Sequence, residues 1–386
     1  MKKINIGLVG CGFAANLHME AFKNVHGYDI KVIALATESK KRMDFAKKYD
    51  ISKIYDNLDD MLKDESIDVI DICTPPYVHL EQVKKTILAK KHVMCEKPLT
   101  GYFDGDGLIG DTVDKKEMYE SVIANLEDLK ILLENSEYKF FYAENFVYAP
   151  TVQKSREILE KTKNKILFLK GEEAHSGSHA EHAALWKYSG GGSFMRQGCH
   201  PLSAVLYLQK IGANARNEKS QISSVIADMG NVLKTLDKNE KKYILADPVD
   251  VEDFSNVIVT FSDGTKAIVT ACDMVVGGVR NIVEVYTNEG VYLCNITPND
   301  EMKIYNVTNE KLGDIYITEK VENKAGWQNV CIAESYARGY VGEMQNFMEC
   351  IDKNLEPESG FELAYDTVKV IYAAYLSAQD DTRVKF

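Results

Sequence analysis

The segment from His92 to Pro98 places an acid, an ammonium group and a proline directly after a short apolar run. The run Val93–Cys95 has the composition of a buried strand, so Glu96 and Lys97 fall at its carboxyl end. In open α/β sheets, ligands bind at the carboxyl ends of the strands. A lysine in this position could donate or accept a proton beside a bound ligand. Burial and nearby cationic charge are expected to lower its pKa towards neutrality.

A second chemical signal is the glycine turn near the start of the chain, which has the form G-x-G-x-x-A. It lies between a predicted strand over Ile4–Val9 and a predicted helix over Phe13–Val25. Glycines let the backbone approach a pyrophosphate, and the helix N-terminus supplies N–H groups and positive potential. The pattern predicts a dinucleotide site formed by Gly10, Gly12, Phe13, Ala14 and Ala15. A plain tight turn that packs the helix on the sheet is the alternative.

The end of the second predicted strand, Ile30–Ala36, bears on the choice between NAD and NADP. An acid about 20 residues after the glycine turn usually binds the ribose 2′-hydroxyl of NAD. Thr37 occupies the strand end and Glu38 follows it. The next residues, 39–42, include three cations that could accept a 2′-phosphate or could form a solvated helix face. NAD is favoured narrowly over NADP.

Two patterns of apolar residues divide the chain at residue 149. Before it, strands alternate with helices, which predicts a doubly wound parallel sheet of an α/β protein. The remaining predicted strands there are 69–73 and 139–145, and the remaining helices are 40–49, 58–63, 80–90 and 117–134. After it, period-two alternation predicts an antiparallel sheet with strands 166–171, 223–229, 256–261, 265–272, 282–287 and 291–294. Helices are predicted at 152–162, 343–351 and 364–379.

A glycine- and aspartate-rich stretch, residues 101–116, interrupts the first pattern. It is interpreted as a surface insertion. A calcium loop is the alternative, although the aspartates lack the alternation and the terminal glutamate of an EF-hand.

Composition narrows the classes of partner. The 386 residues suggest two domains, and the net charge of −12 argues against nucleic acid or an anionic membrane as a partner. The eight cysteines include no Cys-x-x-Cys, as expected for reduced thiols in the cytoplasm. The chain enters a strand at once, so no signal peptide is expected. No apolar run approaches the roughly 18 residues of a membrane span.

These segments, together with Thr74–His79 and Gly190–His200, resemble the Gfo/Idh/MocA oxidoreductases over nearly the whole chain. The resemblance implies a Rossmann domain over 1–149 and an α/β domain over 150–386 with an open, mainly antiparallel sheet. It also implies C-terminal helices that pack back on the first domain, and a homodimer, homotetramer or larger homo-oligomer built through that sheet. The family's Lys-Pro bond, here Lys97–Pro98, is often cis.

The resemblance also implies functional residues. Lys97 corresponds to a catalytic residue and His200 to the proton-relay histidine. Together with the motifs, the sequence predicts further cofactor contacts for Thr37, Glu38, Thr74, Pro75, Pro76, His79, Glu96, Lys97 and Asn145. It predicts substrate contacts for Tyr148, His175, His179, Trp186, Arg196, Gln197 and His200.

Two positions depart from the family pattern, since Arg196 and Ser203 replace aspartates around His200. Arginine cannot accept a proton, so the usual His–Asp relay is not expected. Arg196 either binds an anionic or hydroxyl-rich part of the substrate or forms a structural ion pair.

Three histidines, 175, 179 and 182, fall within eight residues. Recognition of a polyhydroxy substrate, with stacking on Trp186, is favoured over a metal centre or surface histidines. No metal is predicted. Tyr148 either lines the same cleft or packs at the domain junction.

The function implied is reversible oxidation of a secondary alcohol of a sugar, inositol or glycoside, with hydride transfer to nicotinamide and Lys97 or His200 as the base. A keto-sugar would be the product. One alternative is a glycoside hydrolase or lyase in which tightly bound NAD undergoes transient oxidation and elimination. Another is a dinucleotide-binding protein without catalysis.

Overall fold

The computed structural model describes residues 1–103, 109–178, 180–297, 301–310, 315–321 and 323–386, and at 181 and 182 it describes the backbone alone. His179 and the middle of the predicted insertion, residues 104–108, therefore lie outside the described residues.

The N-terminal half is built on a six-stranded parallel sheet in the order β3-β2-β1-β4-β5-β6. Its strands are β1 (Lys2–Val9), β2 (Tyr28–Ala36), β3 (Lys53–Tyr55), β4 (Val69–Ile72), β5 (His92–Glu96) and β6 (Phe140–Ala143). The central strands are apolar almost throughout because helices cover both faces. The strand order reverses between β1 and β4, so a crevice opens at the carboxyl ends of these strands.

The helices of this half are α1 (Phe13–Phe22), α2 (Arg42–Tyr49), α3 (Leu58–Met61), α4 (His79–Leu88) and α5 (Lys115–Glu134). Asp114 caps α5 by accepting a hydrogen bond from the Lys116 N–H. Helix α1 begins after Gly12 without a side-chain cap, so its first N–H groups face the crevice.

The C-terminal half carries a seven-stranded sheet in the order β12-β11-β7-β10-β9-β8-β15. All of its neighbours are antiparallel except β7 and β10, which run parallel. The strands are β7 (Ile166–Ala174), β8 (Ile222–Gly230), β9 (Phe254–Phe261), β10 (Lys266–Cys272), β11 (Arg280–Thr287), β12 (Val291–Asn295) and β15 (Val384–Lys385). A separate pair is formed by β13 (Met302–Asn306) and β14 (Gly326–Val330). The hairpin turn between β9 and β10 contains Gly264 at φ +89°.

The helices of this half are α6 (Pro150–Thr162), α7 (Trp186–Ser189), α8 (Cys199–Ala215), α9 (Glu334–Ala337), α10 (Tyr340–Lys353) and α11 (Phe361–Asp380). Helix α8 was not predicted. Its residues 199–209 are all buried between the sheet, α6 and α11, so it shows no amphipathic stripe. A Cβ on Gly171 of β7 would lie 2.8 Å from Pro201 Cβ, which shows how closely α8 approaches the sheet.

The two halves meet along α11. The Tyr372 hydroxyl accepts a hydrogen bond from the Tyr102 N–H at 2.6 Å, and the Tyr365 hydroxyl donates to Glu127 on α5 at 2.6 Å. The C-terminal helix thus packs on the first half. Among the described residues, no helix combines the length and apolarity needed to cross a bilayer.

Candidate active site

The glycine turn forms an open cradle at the crevice. Gly10 has φ +98°, and a Cβ there would lie 2.5 Å from the Cys73 carbonyl oxygen, so glycine is required by both conformation and space. A Cβ on Gly12, by contrast, would meet nothing within 4 Å. Beside it, Phe13 is 68% exposed at the uncapped start of α1, whereas Ala15 is buried. Free space in front of exposed helix N–H groups suits the pyrophosphate of a dinucleotide.

The end of β2 lies beside this cradle. The Thr37 hydroxyl accepts a hydrogen bond from the Ser39 N–H at 3.2 Å, and Glu38 is exposed. Arg42 is paired with Asp56, so one of the cations that could hold a 2′-phosphate is already engaged. The preference of this edge for NAD over NADP stays a prediction.

The loop after β4 presents Thr74, Pro75 and Pro76 at the same edge. The imidazole of His79 lies beneath them, fully buried, with its nitrogens 2.8 Å from the Pro98 carbonyl oxygen and 2.7 Å from that of Thr74. His79 therefore joins the loop after β4 to the loop after β5.

Glu96 is held from below by a buried histidine. Its Oε1 lies 3.2 Å from His18 Nε2, and His18 Nδ1 lies 3.0 Å from an oxygen of Asp71. Burial opposes protonation of His18, but Asp71 raises the pKa of this imidazole well above its ordinary value. The second oxygen of Glu96 accepts the Lys97 N–H at 3.0 Å. The predicted cofactor residue Glu96 thus fixes the backbone from which Lys97 extends.

Lys97 reaches from β5 into the second half. It precedes a cis Lys97–Pro98 bond, as the resemblance implied, and its Nζ donates to the Arg196 carbonyl oxygen at 2.8 Å. Burial lowers the pKa of this ammonium, but Cys199 and the buried acids Glu96, Glu173 and Glu144 raise it, and the net shift is upward. The expectation of a pKa lowered towards neutrality was wrong, because the nearest charges are acidic. Lys97 is a full cation.

His200 stands in the first turn of α8 opposite Lys97. Its Nδ1 lies 2.6 Å from Glu144 Oε1, and Phe146 stacks on the ring at a centroid distance of 4.8 Å. Both partners are buried. Burial raises the pKa of Glu144 well above its ordinary value, and burial with the charges of Lys97 and Arg338 lowers the pKa of His200.

Arg196 forms an ion pair with Asp273, and the Gln197 amide also donates to Asp273. The structural ion pair was one of the two interpretations offered for Arg196. Contact of Arg196 or Gln197 with a substrate stays a prediction.

His175 is buried nearby and accepts a hydrogen bond from the Gly177 N–H at 2.9 Å. Burial, helped by Lys320, Arg196 and other cations, lowers its pKa to about 2, so this imidazole is neutral. Its predicted partner His179 lies outside the described residues.

Two predicted aromatic contacts are engaged inside the protein. Trp186 is 2% exposed, with the ammonium of Lys115 4.8 Å from its ring and Tyr375 packed against it. A Cβ on Gly110 would lie 2.5 Å from Trp186, so the insertion covers this ring. Tyr148 is buried, donates to Asn346 and accepts from the Ser359 N–H, which matches packing at the domain junction.

Two family models match the two halves of the chain. A model described as the oxidoreductase family, NAD-binding Rossmann fold, matches residues 4–116, and a GFO/IDH/MocA C-terminal domain matches residues 165–293. The chain belongs to the Gfo/Idh/MocA oxidoreductase family. This membership confirms the predicted family, the Rossmann domain and the NAD cofactor.

Three individual relatives share between 20% and 32% identity with the chain. An uncharacterised protein of Saccharomyces cerevisiae is 32% identical over 42% of this chain, and the match spans 41% of that protein. Levoglucosan dehydrogenase of Pseudarthrobacter phenanthrenivorans is 22% identical over 79% of this chain and 76% of its own. The crystal structure of GenD2 from gentamicin A biosynthesis, in complex with NAD, has a TM-score of 0.79 at 20% identity, covering 100% of this chain and 97% of that one. The last likeness shows the Gfo/Idh/MocA fold.

Sequence reasoning did not select several residues of this family member's site. Glu144 follows β6 at the carboxyl edge of the sheet, and that position was a usable signal. Glu173 on β7 and Arg338 after α9 come from distant segments whose convergence no local pattern indicates. Burial raises the pKa of Glu173 to about 7 although Arg338 and Lys97 oppose the shift.

The ligand atoms of Glu144, Cys199 and His200 lie within 4.8 Å of one another and could surround an ion. The cation of Lys97 contributes to the pKa of all three groups. A metal ion would be repelled by that ammonium, so the cluster is better suited to moving a proton.

Proposed function

We propose that the chain is an NAD-dependent dehydrogenase that oxidises a secondary alcohol of a sugar, inositol or glycoside to a ketone. The observation that carries the proposal is the pairing of a cationic Lys97 with a neutral His200 at the carboxyl edge that also holds the glycine cradle. NAD, when bound, supplies the acceptor for the hydride of the carbinol carbon. Family membership and the levoglucosan dehydrogenase relative support a carbohydrate substrate.

His200 is the proposed base for the hydroxyl proton. Its Nδ1 is engaged with Glu144, whereas its Nε2 makes no hydrogen bond to any described residue and is free to meet a substrate. Its lowered pKa keeps the ring neutral and able to accept a proton at physiological pH.

Lys97 is the proposed electrostatic partner. Because its pKa is raised, it holds its proton and stabilises negative charge developing on the substrate oxygen. The sequence left open whether Lys97 or His200 is the base. In this proposal His200 is the base and Lys97 is the electrostatic partner.

The substrate side of the cleft offers polar groups of both signs. Arg196 and Asp273 form an ion pair, and His175 supplies a neutral imidazole. Such a mixture suits several hydroxyl groups better than a single strong anion.

The test is reduction of added NAD, followed by absorbance of the reduced nicotinamide, with inositols, hexoses, anhydrosugars and glycosides as substrates. NADP in parallel tests the preference for NAD. Alcohol-dependent NADH formation that is lost in His200→Asn supports the proposal. A protein that binds NADH but oxidises none of these alcohols contradicts it and favours a non-catalytic dinucleotide-binding protein.

A glycoside lyase or hydrolase with a retained cofactor is the second candidate. Glu173 favours it, because this buried carboxyl near Lys97 has one oxygen without a partner in the described structure and no role in alcohol oxidation. It could take the proton next to a new ketone. Cleaved glycoside without accumulated NADH would support this candidate.

Assembly and location are further proposals. We propose a homo-oligomer formed through the open sheet, at whose edge Val291 and Leu293 are 55% and 70% exposed. We also propose that the boundary between the two domains lies between residues 149 and 150. The cysteines are all free and mostly buried, which suits the reducing cytoplasm. Light scattering of the purified protein gives the subunit number.

A further inference from the structure

The carboxyl group of Glu144 contacts the imidazole of the proposed base, His200. It follows β6 in the first half of the chain, yet its Oε1 lies 2.6 Å from Nδ1 of His200 in the second half. Its other oxygen is buried and has no hydrogen-bond partner among the described residues. Phe146, two residues on, stacks on the imidazole with an interplanar angle of 19°. The segment that contains Glu144 and Phe146 therefore fixes both the tilt of the His200 ring and the hydrogen bond at its Nδ1.

The arginine at position 196 makes this contact necessary. Four residues before His200 on the same turn, Arg196 is paired with Asp273 and offers no acceptor to the imidazole. Glu144 supplies a carboxylate from another element, on the far side of the domain junction.

We infer that Glu144 is the positioning residue of His200 and the final acceptor of the proton released when the substrate alcohol is oxidised. This inference rests on the proposed dehydrogenase function and deepens it. Of these two residues only His200 touches the substrate, and it conducts the proton to Glu144.

Atoms and charges balance in this transfer. The substrate O–H bond breaks and its proton joins His200 Nε2, while the Nδ1 proton passes to Glu144 Oε1. The carbinol C–H electron pair leaves as the hydride assigned to NAD. In the reactive form Glu144 is a carboxylate whose raised pKa favours uptake of the proton, so it ends as a carboxylic acid. His200 is neutral before and after, with its tautomer exchanged.

The surroundings favour this transfer over a charged imidazole. An imidazolium at His200 would face the cations Lys97 and Arg338, which disfavour it. A protonated Glu144, however, removes a buried negative charge that has only one hydrogen-bonded oxygen. Lys97 keeps its proton throughout and remains available to the substrate oxygen.

The first experiment compares Glu144→Gln, Glu144→Asp and a matched control, Glu343→Gln. Glu343 is also a fully buried glutamate, but neither of its oxygens has a hydrogen-bond partner in the described structure. The amide introduced by Glu144→Gln can keep a hydrogen bond to Nδ1 but cannot take up a proton. We expect kcat to fall by about 100-fold or more in Glu144→Gln, with NADH affinity unchanged. Glu144→Asp should recover much of the loss, and Glu343→Gln should retain kcat.

A readout that a merely structural role would not move is the solvent isotope effect. Two protons move in the native scheme, so a plot of kcat against the deuterium fraction of the solvent should be curved. In Glu144→Gln one proton moves, and the dependence should become linear. A native kcat in Glu144→Gln, or equal loss in the Glu343 control, would overturn the inference.

A second measurement separates this inference from the proposed function. In the NADH-bound protein labelled with ¹⁵N-histidine, the Nδ1 resonance of His200, assigned with His200→Gln, should shift strongly in Glu144→Gln and not in Glu343→Gln. If the native protein oxidises no alcohol, the dehydrogenase proposal fails while this shift still supports the Glu144–His200 proton couple. An unchanged His200 resonance overturns the couple whatever the activity.

Discussion

Replacing Glu173 by glutamine should make the protein more stable at neutral pH. Glu173 lies on β7 at 4% exposure, and one of its oxygens has no hydrogen-bond partner in the described structure. Burial raises its pKa from 4.5 to about 7, although Arg338 and Lys97 pull it down. A carboxyl with this environment is costly when ionised.

The size of the expected gain in stability follows from the pKa shift of Glu173. An increase from 4.5 to about 7 corresponds to about 3 kcal/mol between the two protonation states, as an upper bound. The folded protein binds the proton more tightly than the unfolded chain. The favourable contribution is therefore complete below pH 4.5 and is lost as the pH rises through about 7. Glutamine cannot ionise, so it removes this loss.

The assay is the free energy of unfolding in urea at several pH values for the native protein, Glu173→Gln and Glu172→Gln. The control changes the preceding residue, whose carboxylate lies on the other face of β7 and pairs with Arg280 at 2.6 Å. We expect Glu173→Gln to gain up to about 3 kcal/mol at pH ~8 and little at pH ~4. Glu172→Gln should gain nothing at either pH.

Equal stability of the native protein and Glu173→Gln across this pH range would refute the reasoning, because it would mean that Glu173 is effectively solvated. A gain accompanied by loss of turnover would instead identify Glu173 as a group retained for chemistry at the expense of stability.

Three further predictions concern the site. Lys97→Met should lower kcat by about 100-fold or more while NADH still binds. The control is Lys91→Met, which removes another buried lysine, one that donates to the Asp64 and Ile67 carbonyl oxygens. This control should keep kcat and lower the urea midpoint. Gly12→Ala should weaken NADH by about tenfold or more without lowering the melting temperature, since its Cβ meets only open space that the cofactor would fill; an unchanged affinity would place the pyrophosphate elsewhere. Gly10→Ala should lower the melting temperature even without cofactor, because its Cβ would clash with the Cys73 carbonyl, and a native melting temperature would contradict that contact.

The parallel half of the fold could be predicted because each strand and helix carries its own pattern. Strands β1, β2, β4 and β5 are short apolar runs, and the glycine turn marks the start of α1. Helix α8 escaped prediction for the opposite reason, since a helix buried on all sides loses the stripe that marks an amphipathic one.

The site was predictable where one segment carries its chemistry and not where segments converge. Lys97 and His200 stand in motifs, and the structure brings both into one buried cluster. Glu144 and Arg338 lie 56 and 138 residues from His200 along the chain, and only the packing of α8 and α10 against the segment after β6 brings them near. The predicted sign of the Lys97 pKa shift was wrong for the same reason, because two of its acidic neighbours, Glu144 and Glu173, come from other elements.

The covering of Trp186 by the insertion provides a native optical probe. The chain has two tryptophans, and the other, Trp327, is 73% exposed. Iodide should quench Trp327 selectively, and Trp327→Phe would leave a single emitter beneath Gly110 and the Lys115 ammonium. The colour and lifetime of that emission would then follow the contact between residues 109–116 and α7 during a catalytic cycle, without any attached dye.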